Sequence, residues 1–247
     1  MISFNILSKL VMFPLYYTFH CNIFFGWLHK KYFKSFKYKN FVFNLKDFEI
    51  PISNHSSFIF NTYELNDRII LERNLSKNHK CIVIGGGIGF VPSIVNTITK
   101  NKVMIFEINE KIIRNLKFNL SFNNIRFKVF NYNLLLNNKE KKNYYYSSEN
   151  FLATSMYRKT KRKVKLKNLS YKKVHNINKF NTLIVDGEGI EKHYIENISV
   201  LKNIKHIFFE FHNDIFSEKE KSQIFNKLNN KGFYFKDSFI NSYYFAK

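Results

Sequence analysis

The stretch Cys81-Ile82-Val83-Ile84-Gly85-Gly86-Gly87-Ile88-Gly89 decides the fold of this chain. Its four leading apolar residues predict a short buried strand, and glycines at alternate positions follow without a break. Residues 90 to 100 then predict a helix, in which Pro92 falls in the first turn, where a proline is tolerated. A strand, a glycine-rich turn and a helix in this order let a nucleotide approach the backbone closely. The sequence therefore predicts a nucleotide site at this turn.

The spacing of the glycines indicates the kind of nucleotide. A dinucleotide-binding turn has the pattern G-x-G-x-x-G, and its third glycine would fall at Phe90. The pattern G-x-G-x-G found here suits a single nucleoside without a pyrophosphate. The next predicted strand, residues 103 to 107, ends in Glu107, whose carboxylate can accept hydrogen bonds from both hydroxyls of a ribose. S-adenosylmethionine is the common ligand of this description, and a glycine-rich turn of another α/β domain is the alternative.

Composition limits the classes of protein to which the chain can belong. The chain has 247 residues, enough for one α/β domain with a short extension. Its 40 Lys and Arg against 18 Asp and Glu give a net charge of +22, which points to nucleic acid or an anionic membrane. The alternative is codon bias, because the chain is also rich in Asn, Ile, Phe and Tyr, which have A/T-rich codons. Two cysteines without metal-ligand spacing predict a reducing compartment, so we expect a cytoplasmic protein.

Residues 1 to 40 differ from the rest of the chain. The stretch from Leu10 to Leu28 has no formal charge, and a run of lysines and aromatic residues follows it. Three interpretations are open: an interfacial segment on anionic lipid head groups, a membrane-spanning helix, or a helical hairpin packed on the domain. Short strands are expected at residues 41–43, 48–50 and 58–60. We therefore expect an N-terminal basic, aromatic extension at residues 1–62 and a main domain at residues 63–247.

The main domain shows strands that alternate with helices. The expected strands are residues 81–84, 103–107, 126–130, 181–186, 206–212, 233–239 and 242–246. Ser217 and Glu220 predict a capping box at the start of the last helix. Five β/α units followed by a terminal hairpin predict a seven-stranded, mostly parallel sheet whose last strand is antiparallel. A basic segment, residues 158–173, is expected to form either a solvated hairpin or a face toward an acidic partner.

Ligands of an open α/β sheet bind at the carboxyl ends of its strands, and polar residues collect there. Asp186, Glu188 and Glu191 follow the fourth strand within six residues, next to two glycines. Acids so close to a buried strand are costly unless they are solvated, paired or used in function. An acidic helix N-terminus is the alternative for Glu188 and Glu191, but it explains Asp186 less well. Glu210 and His212 end the fifth strand at the same edge.

These motifs together resemble the FkbM family of S-adenosylmethionine-dependent methyltransferases over residues 60 to 247. The matching segments are residues 82–89, Phe106-Glu107-Ile108-Asn109, residues 115–124, the D-x-E-G-x-E segment in residues 183–191, and residues 209–212. The resemblance implies a Rossmann-like class I methyltransferase fold and O-methylation of a sugar or polyketide hydroxyl. Two departures are Val83, where the family commonly has an acid, and Ile108, where it has a proline. The first weakens the expected contact with the methionine ammonium.

The site residues expected from the motifs and the resemblance fall into two groups. Asp186 is the first candidate for the base or acceptor-orienting acid, with Glu188 and His212 behind it. No spacing demands a metal, and a divalent ion held by Asp186 and a nearby acid is an alternative. The residues expected to bind the cofactor are Gly85, Gly86, Gly87, Gly89, Glu107, Asn109 and Asn131.

The acceptor expected from the resemblance is a hydroxyl of a sugar or glycan. A membrane-associated binding module without catalysis is one alternative, since Val83 departs from the family pattern. RNA methylation is the other; it suits the charge but not the D-x-E-G-x-E segment, so nucleic acid is not the expected partner.

Overall fold

The computed structural model describes residues 22–46, 48–137, 144–147, 162–187, 189–212 and 215–247. Its helices and strands are, in chain order, α1 (Ile23–Tyr32), β1 (Ser35–Tyr38), β2 (Phe41–Asn44), α2 (Ser56–Ile59), α3 (Leu65–Asn74), β3 (Cys81–Ile84), α4 (Phe90–Thr99), β4 (Val103–Phe106), α5 (Ile113–Phe122), β5 (Phe127–Phe130), β6 (Asn133–Leu135), β7 (Tyr144–Ser147), β8 (Arg162–Lys165), β9 (Asn168–Ser170), β10 (Thr182–Val185), α6 (Glu191–Asn197), β11 (His206–Glu210), α7 (Glu218–Asn230), β12 (Tyr234–Phe239) and β13 (Ser242–Ala246).

The central sheet has seven strands in the spatial order β12-β13-β11-β10-β3-β4-β5. The neighbouring strands from β11 to β5 run parallel, and β13 is antiparallel to both β11 and β12. Counted along the chain, these seven strands follow the order 3-2-1-4-5-7-6. The predicted fold is confirmed: a Rossmann-like class I methyltransferase fold with its last strand antiparallel.

The register of the parallel strands brings their carboxyl ends to one level. Ile84 at the end of β3 is opposite Val185 of β10 and Phe106 of β4, and Val185 is opposite Phe209 of β11. All residues of β3 and β10 are buried, as expected for central strands covered on both faces. The residues that follow these four positions therefore meet at one edge of the sheet.

Each face of the sheet carries a hydrophobic core. Val83 faces a core formed with β1, β2 and helices α2 to α5, in which Phe36, Phe43 and Phe90 pack against one another. Ile82 faces the other core, formed with helices α6 and α7 and the segments around β6 and β7. The N-terminal hairpin β1–β2 is thus part of the core of the main sheet. The predicted domain boundary between residues 62 and 63 stays a prediction.

Two expected strands in the N-terminal region are wrong. Residues 48–50 are not in a strand, and Phe58 lies in α2, which follows a 3-10 turn at Ser53–His55. Serine hydroxyls explain the helix, because Ser56 Oγ and Ser57 Oγ donate to the backbone carbonyls of Ser53 and Asn54 at 2.8 and 2.6 Å. These local bonds favour a helical turn over an extended chain.

The uncharged N-terminal stretch is described only from residue 22 onward, and its earlier part lies outside the described residues. Asn22 caps α1 by accepting hydrogen bonds from the N–H groups of Phe24 and Phe25. No helix in the described part of the chain is long and apolar enough to cross a membrane. The capping box of Ser217 and Glu220 at the start of α7 is confirmed.

Candidate functional site

The glycine turn after β3 is held in shape by Glu107, the residue directly after β4. Oε2 of Glu107 accepts hydrogen bonds from the N–H groups of Gly86 and Gly87 at 2.9 and 3.4 Å. Its Oε1 accepts a third from the N–H of Asn109 at 2.8 Å. Burial raises the pKa of the Glu107 carboxyl, and these N–H groups oppose that rise by stabilising the charged form. The turn and the acid therefore form one rigid unit.

Two glycines of the turn have different structural roles. Gly85 has φ +91°, and a Cβ there would lie 1.9 Å from the carbonyl oxygen of Asp186, so the turn is packed directly on the chain after β10. Gly87 has φ +50°, and a Cβ there would meet only Glu64 Oε1 at 3.6 Å and the Tyr63 hydroxyl at 3.7 Å. Those are ordinary van der Waals contacts, so the space above Gly87 has room for a methyl group beneath the side chains of Glu64 and Tyr63.

The other expected cofactor residues surround this unit. Asn109 is buried and caps the turn at Glu110–Ile112 by accepting from the N–H of Lys111 at 3.2 Å. Asn131 Nδ2 donates to the backbone carbonyls of Glu107 and Ile108 at 2.9 and 3.3 Å, which ties the end of β5 to the end of β4. Gly89 precedes the first residue of α4. The structure thus brings all seven expected cofactor residues to one end of the sheet.

A second group of polar side chains lies at the ends of β10 and β11, and we call it the acidic pocket: Glu64, Asp67, Asp186, Glu191, Glu210 and His212. His212 Nε2 lies 3.5 Å from Asp186 Oδ1 and 4.0 Å from Glu191 Oε1. Glu191 Oε1 also accepts from the N–H of Gly187 at 3.1 Å. The structure brings together two of the three expected catalytic residues, Asp186 and His212. The third, Glu188, lies outside the described residues.

Helix α3 contributes the rest of the acidic pocket. Asp67 Oδ1 accepts from the Ser242 hydroxyl at 2.7 Å, and Asn66 Nδ2 donates to Glu210 Oε1 at 3.3 Å. Glu64 immediately precedes α3 in a left-handed backbone conformation, with φ 46°, that places its carboxylate beside Gly87. The acidic pocket is therefore continuous with the space above the glycine turn.

The acids of the acidic pocket repel one another. Burial and the neighbouring Asp186 charge raise the pKa of Asp67 to about 7. Burial also raises the pKa of Glu191 to about 7, against the opposing effect of His212. The pKa values of Glu64 and Glu210 lie well above the ordinary range, because desolvation and the neighbouring acids Asp67 and Asp186 disfavour their charged forms. Carboxyls in this state hold protons readily or bind cations.

Sequence reasoning missed Glu64 and Asp67 as members of this site. The sequence does not show that α3 packs beside the end of β11 and the start of β13. One signal was present in the sequence, where Asn66 and Asp67 are adjacent polar residues. The structure buries both of them on α3. Neighbouring polar residues on an otherwise core-facing helix are candidates for a site.

Comparison with known proteins gives distant similarities. No protein-family model matches the chain, and the resemblance to the FkbM family stays a prediction. A segment of 69 residues, 28% of this chain, is 35% identical to an uncharacterised protein of Dictyostelium discoideum and spans 19% of that protein.

Similar solved structures include a methyltransferase from Pyrococcus furiosus, with 13% identity and a TM-score of 0.47 over 91% of this chain and 95% of that one. Another is precorrin-6Y C5,15-methyltransferase from Geobacter metallireducens, with 10% identity and a TM-score of 0.44 over 72% and 84% of the two chains. A third is the ribosomal protein L11 methylase from Lactobacillus delbrueckii, with 12% identity and a TM-score of 0.44 over 73% and 75%. The fold assignment itself rests on the strand order of the sheet.

Proposed function

We propose that this chain is an S-adenosylmethionine-dependent methyltransferase that methylates a hydroxyl oxygen. The observation that carries the proposal is the pairing of Glu107 with the glycine turn, beneath the space above Gly87 that Glu64 and Tyr63 border. Glu107 accepts hydrogen bonds from the N–H groups of Gly86, Gly87 and Asn109, and the N–H of Ile108 also stabilises its charge. This carboxylate, at a turn made of glycines, is our candidate for the group that accepts a hydrogen bond from a ribose hydroxyl.

Glu64 is our candidate for the group that binds the methionine ammonium. The family that the sequence resembles commonly has an acid at the position of Val83, and Val83 is fully buried within β3. The carboxylate of Glu64 is the polar atom nearest to the space above Gly87. An acid supplied from the start of α3 would therefore replace the one missing from β3.

Asp186 and His212 are the candidates for handling the acceptor proton. The cofactor supplies a methyl group on a positively charged sulfur, which makes the methyl a good electrophile. The protein must align the acceptor oxygen with this methyl and remove the hydroxyl proton. Asp186 and His212 are 3.5 Å apart and partly exposed, so a hydroxyl can reach both of them. Several carboxylates around an accessible space also suit the hydrogen-bonding groups of a sugar, and we propose a sugar or glycan hydroxyl as the acceptor.

Calorimetry with S-adenosylmethionine tests cofactor binding. Glu107→Ala should weaken binding at least about tenfold, since a hydrogen bond to a charged group contributes about 1.5–3 kcal/mol. Glu110→Ala is the matched control, because Glu110 lies three positions away and pairs at the surface with Lys167. Gly87→Ala is the second variant: its methyl meets no atom closer than 3.6 Å but is strained at φ +50°, so the protein should fold with a loss of about 1 kcal/mol while the methyl occupies the space above the turn. Unchanged binding by both variants would overturn the proposal.

The proposed role of Glu64 has a test of its own. Glu64→Gln should weaken the binding of S-adenosylmethionine but leave 5′-methylthioadenosine unaffected, because the latter lacks the methionine ammonium. Equal losses for both ligands would show that Glu64 acts on the shape of the site and not on the ammonium.

Labelled cofactor distinguishes the possible acceptors. Incubation with host glycans and, separately, with host RNA should transfer label to the glycan fraction. Label in RNA, together with salt-dependent RNA affinity, would favour the RNA methyltransferase alternative that the net charge of +22 suggests. Cofactor binding without transfer to any fraction would favour a binding module that has no catalytic activity.

We also propose that α1 contacts an anionic membrane surface. Ile23, Phe24 and Trp27 are 71%, 63% and 46% exposed, and Lys30 and Lys31 are exposed on the same helix. Exposed apolar and aromatic side chains next to lysines suit the interface of an anionic bilayer. Trp27 is the single tryptophan of the chain, so its fluorescence should shift to the blue with phosphatidylserine vesicles and not with phosphatidylcholine vesicles. An equal response to both, or none, would contradict this proposal.

A further inference from the structure

Three side chains of the acidic pocket converge in a way that suits a metal ion. Asp186, Glu210 and His212 each offer a ligand atom, and these atoms lie within 4.8 Å of one another. All three residues are partly exposed, so an ion can reach them. Ligand atoms that share one ion at about 2.1 Å lie roughly 3–4 Å apart, and small side-chain rotations are enough to close this group.

A second observation points to a missing cation. Glu191 is fully buried, and its Oε2 has no hydrogen-bond partner among the described residues. Asp67 is 7% exposed, and its Oδ2 likewise has no partner in that part of the chain. Both side chains face the three converging residues: Glu191 Oε1 is 4.0 Å from His212 Nε2, and Asp67 interacts electrostatically with Asp186 and His212.

The acidic pocket contains more negative groups than positive ones. It holds five carboxyl groups and a single histidine, in a chain whose net charge is +22. In the described residues, no lysine or arginine forms an ion pair with any of these five carboxyl groups. Buried carboxylates without a cation are strongly unfavourable, so this arrangement requires either protons or a bound cation.

We propose that Asp186, Glu210 and His212 form a binding site for one divalent metal ion. Two carboxylates balance the charge of a dication, and the imidazole selects against the alkaline-earth ions, which prefer oxygen ligands. A set of two oxygens and one nitrogen suits Mn²⁺ or Fe²⁺. Three protein ligands would leave further coordination positions of the ion open.

The cation site stands on its own geometry, and only its role toward an acceptor rests on the proposed methyl transfer. In that role the ion would bind the acceptor oxygen and lower the pKa of its hydroxyl, and the proton would pass to water, since the three ligands are partly exposed. Asp186 and His212 would then act as ligands that position the acceptor. Metal binding and cofactor binding are measured separately, so the failure of one proposal does not conceal the failure of the other.

Titration with Mn²⁺ followed by electron paramagnetic resonance tests the site on the full-length protein. We expect saturable binding of about one Mn²⁺ per chain. Asp186→Asn, Glu210→Gln and His212→Gln should each weaken binding at least about tenfold, since even residues that only orient a metal ligand typically cost 10–100-fold in metal affinity. Glu218→Gln is the matched control, because this exposed acid pairs with Lys221 and is not one of the proposed ligands, so the variant should bind Mn²⁺ as the wild type does.

Thermal unfolding with and without Mn²⁺ supplies a second readout that also reports folding of the variants. Mn²⁺ should raise the melting temperature of the wild type and not that of the Asp186→Asn/His212→Gln double variant. The proposal is overturned if the wild type shows no saturable Mn²⁺ binding, or if the variants bind Mn²⁺ as it does. In either case the carboxyls share protons instead of a metal.

Discussion

The glycine turn and the acidic pocket lie side by side at the same sheet edge, yet their carboxylates differ in how fully the protein satisfies their hydrogen bonds. Glu107 accepts three hydrogen bonds from backbone N–H groups, so its charge is satisfied by the protein itself. Glu191 and Asp67 each leave one carboxylate oxygen without a hydrogen-bond partner among the described residues. The first region is therefore organised before any ligand arrives, whereas the second retains acceptor capacity for a proton, a cation or a substrate. This difference explains why the turn suits a cofactor site and the pocket suits the reacting groups.

Gly85 joins the two regions through its contact with Asp186, and its substitution should lower the free energy of unfolding most. Gly85→Ala would place a Cβ 1.9 Å from the carbonyl oxygen of Asp186, at a residue with φ +91°. Backbone strain and overpacking together should lower the free energy of unfolding by about 4 kcal/mol. Gly232→Ala is the control, since Gly232 has φ +78° with no atom within 4 Å of the added Cβ, so strain alone should cost about 1 kcal/mol. Equal losses in urea unfolding would mean that the two regions are not tightly joined.

Local sequence patterns were enough to predict the sheet. The apolar runs of β3 and β10 are bounded by polar residues or glycines, and fully buried strands need no more than this. The terminal hairpin and the capping box at Ser217 were also predictable, because each depends on a few neighbouring residues. The close position of Glu107 beneath the turn follows from the parallel register of β3 and β4.

Other features depend on contacts that the sequence does not show. Phe58 lies in a helix because serine hydroxyls bond to nearby carbonyls, although a short aromatic run is equally compatible with a strand. Glu64 and Asp67 enter the site because α3 packs across the ends of strands that follow it by more than a hundred residues. Such long-range packing cannot be derived from periodicity.

A buried histidine pair offers a third setting, in which burial disfavours the charged form of both groups. His29 Nδ1 and His55 Nδ1 lie 3.0 Å apart and join α1 to the turn before α2. Burial, together with the neighbouring His29, lowers the pKa of His55 to about 4. The unfolded chain therefore binds a proton at a higher pH than the folded chain does. As the pH falls from 6.5 to 4, the contribution of His55 to the free energy of unfolding should decrease by about 3 kcal/mol.

The fluorescence of Trp27, which lies on α1, should report this loss as a local change during acid titration. His55→Gln should remove most of the dependence, because glutamine does not titrate. A change of the same size in that variant would place the titrating group elsewhere.

Replacement of the Glu107 carboxylate, which accepts hydrogen bonds from the glycine turn, should destabilise the protein. Glu107→Gln would put an amide NH₂ against N–H donors, so at least one of the three backbone N–H groups would lose its acceptor. The expected loss in free energy of unfolding is about 2 kcal/mol. Glu110→Gln changes an exposed acid in the same loop and should stay within about 0.5 kcal/mol of the wild type. If both variants are equally stable in urea, the turn does not depend on Glu107.

A Glu-to-Gln substitution in the acidic pocket should instead raise the free energy of unfolding. Glu210→Gln keeps the oxygen that accepts from Asn66 but removes a charge that faces Asp67 and Asp186. Without metal, at a pH high enough to ionise Glu210, the variant should be more stable than the wild type by about 1 kcal/mol, since it removes the repulsion with the neighbouring acids. Saturating Mn²⁺ should reverse the order, because only the wild type keeps all three proposed ligands. If Glu210→Gln is less stable than the wild type in metal-free urea unfolding, its carboxylate is satisfied as that of Glu107 is, and the contrast between the two regions fails.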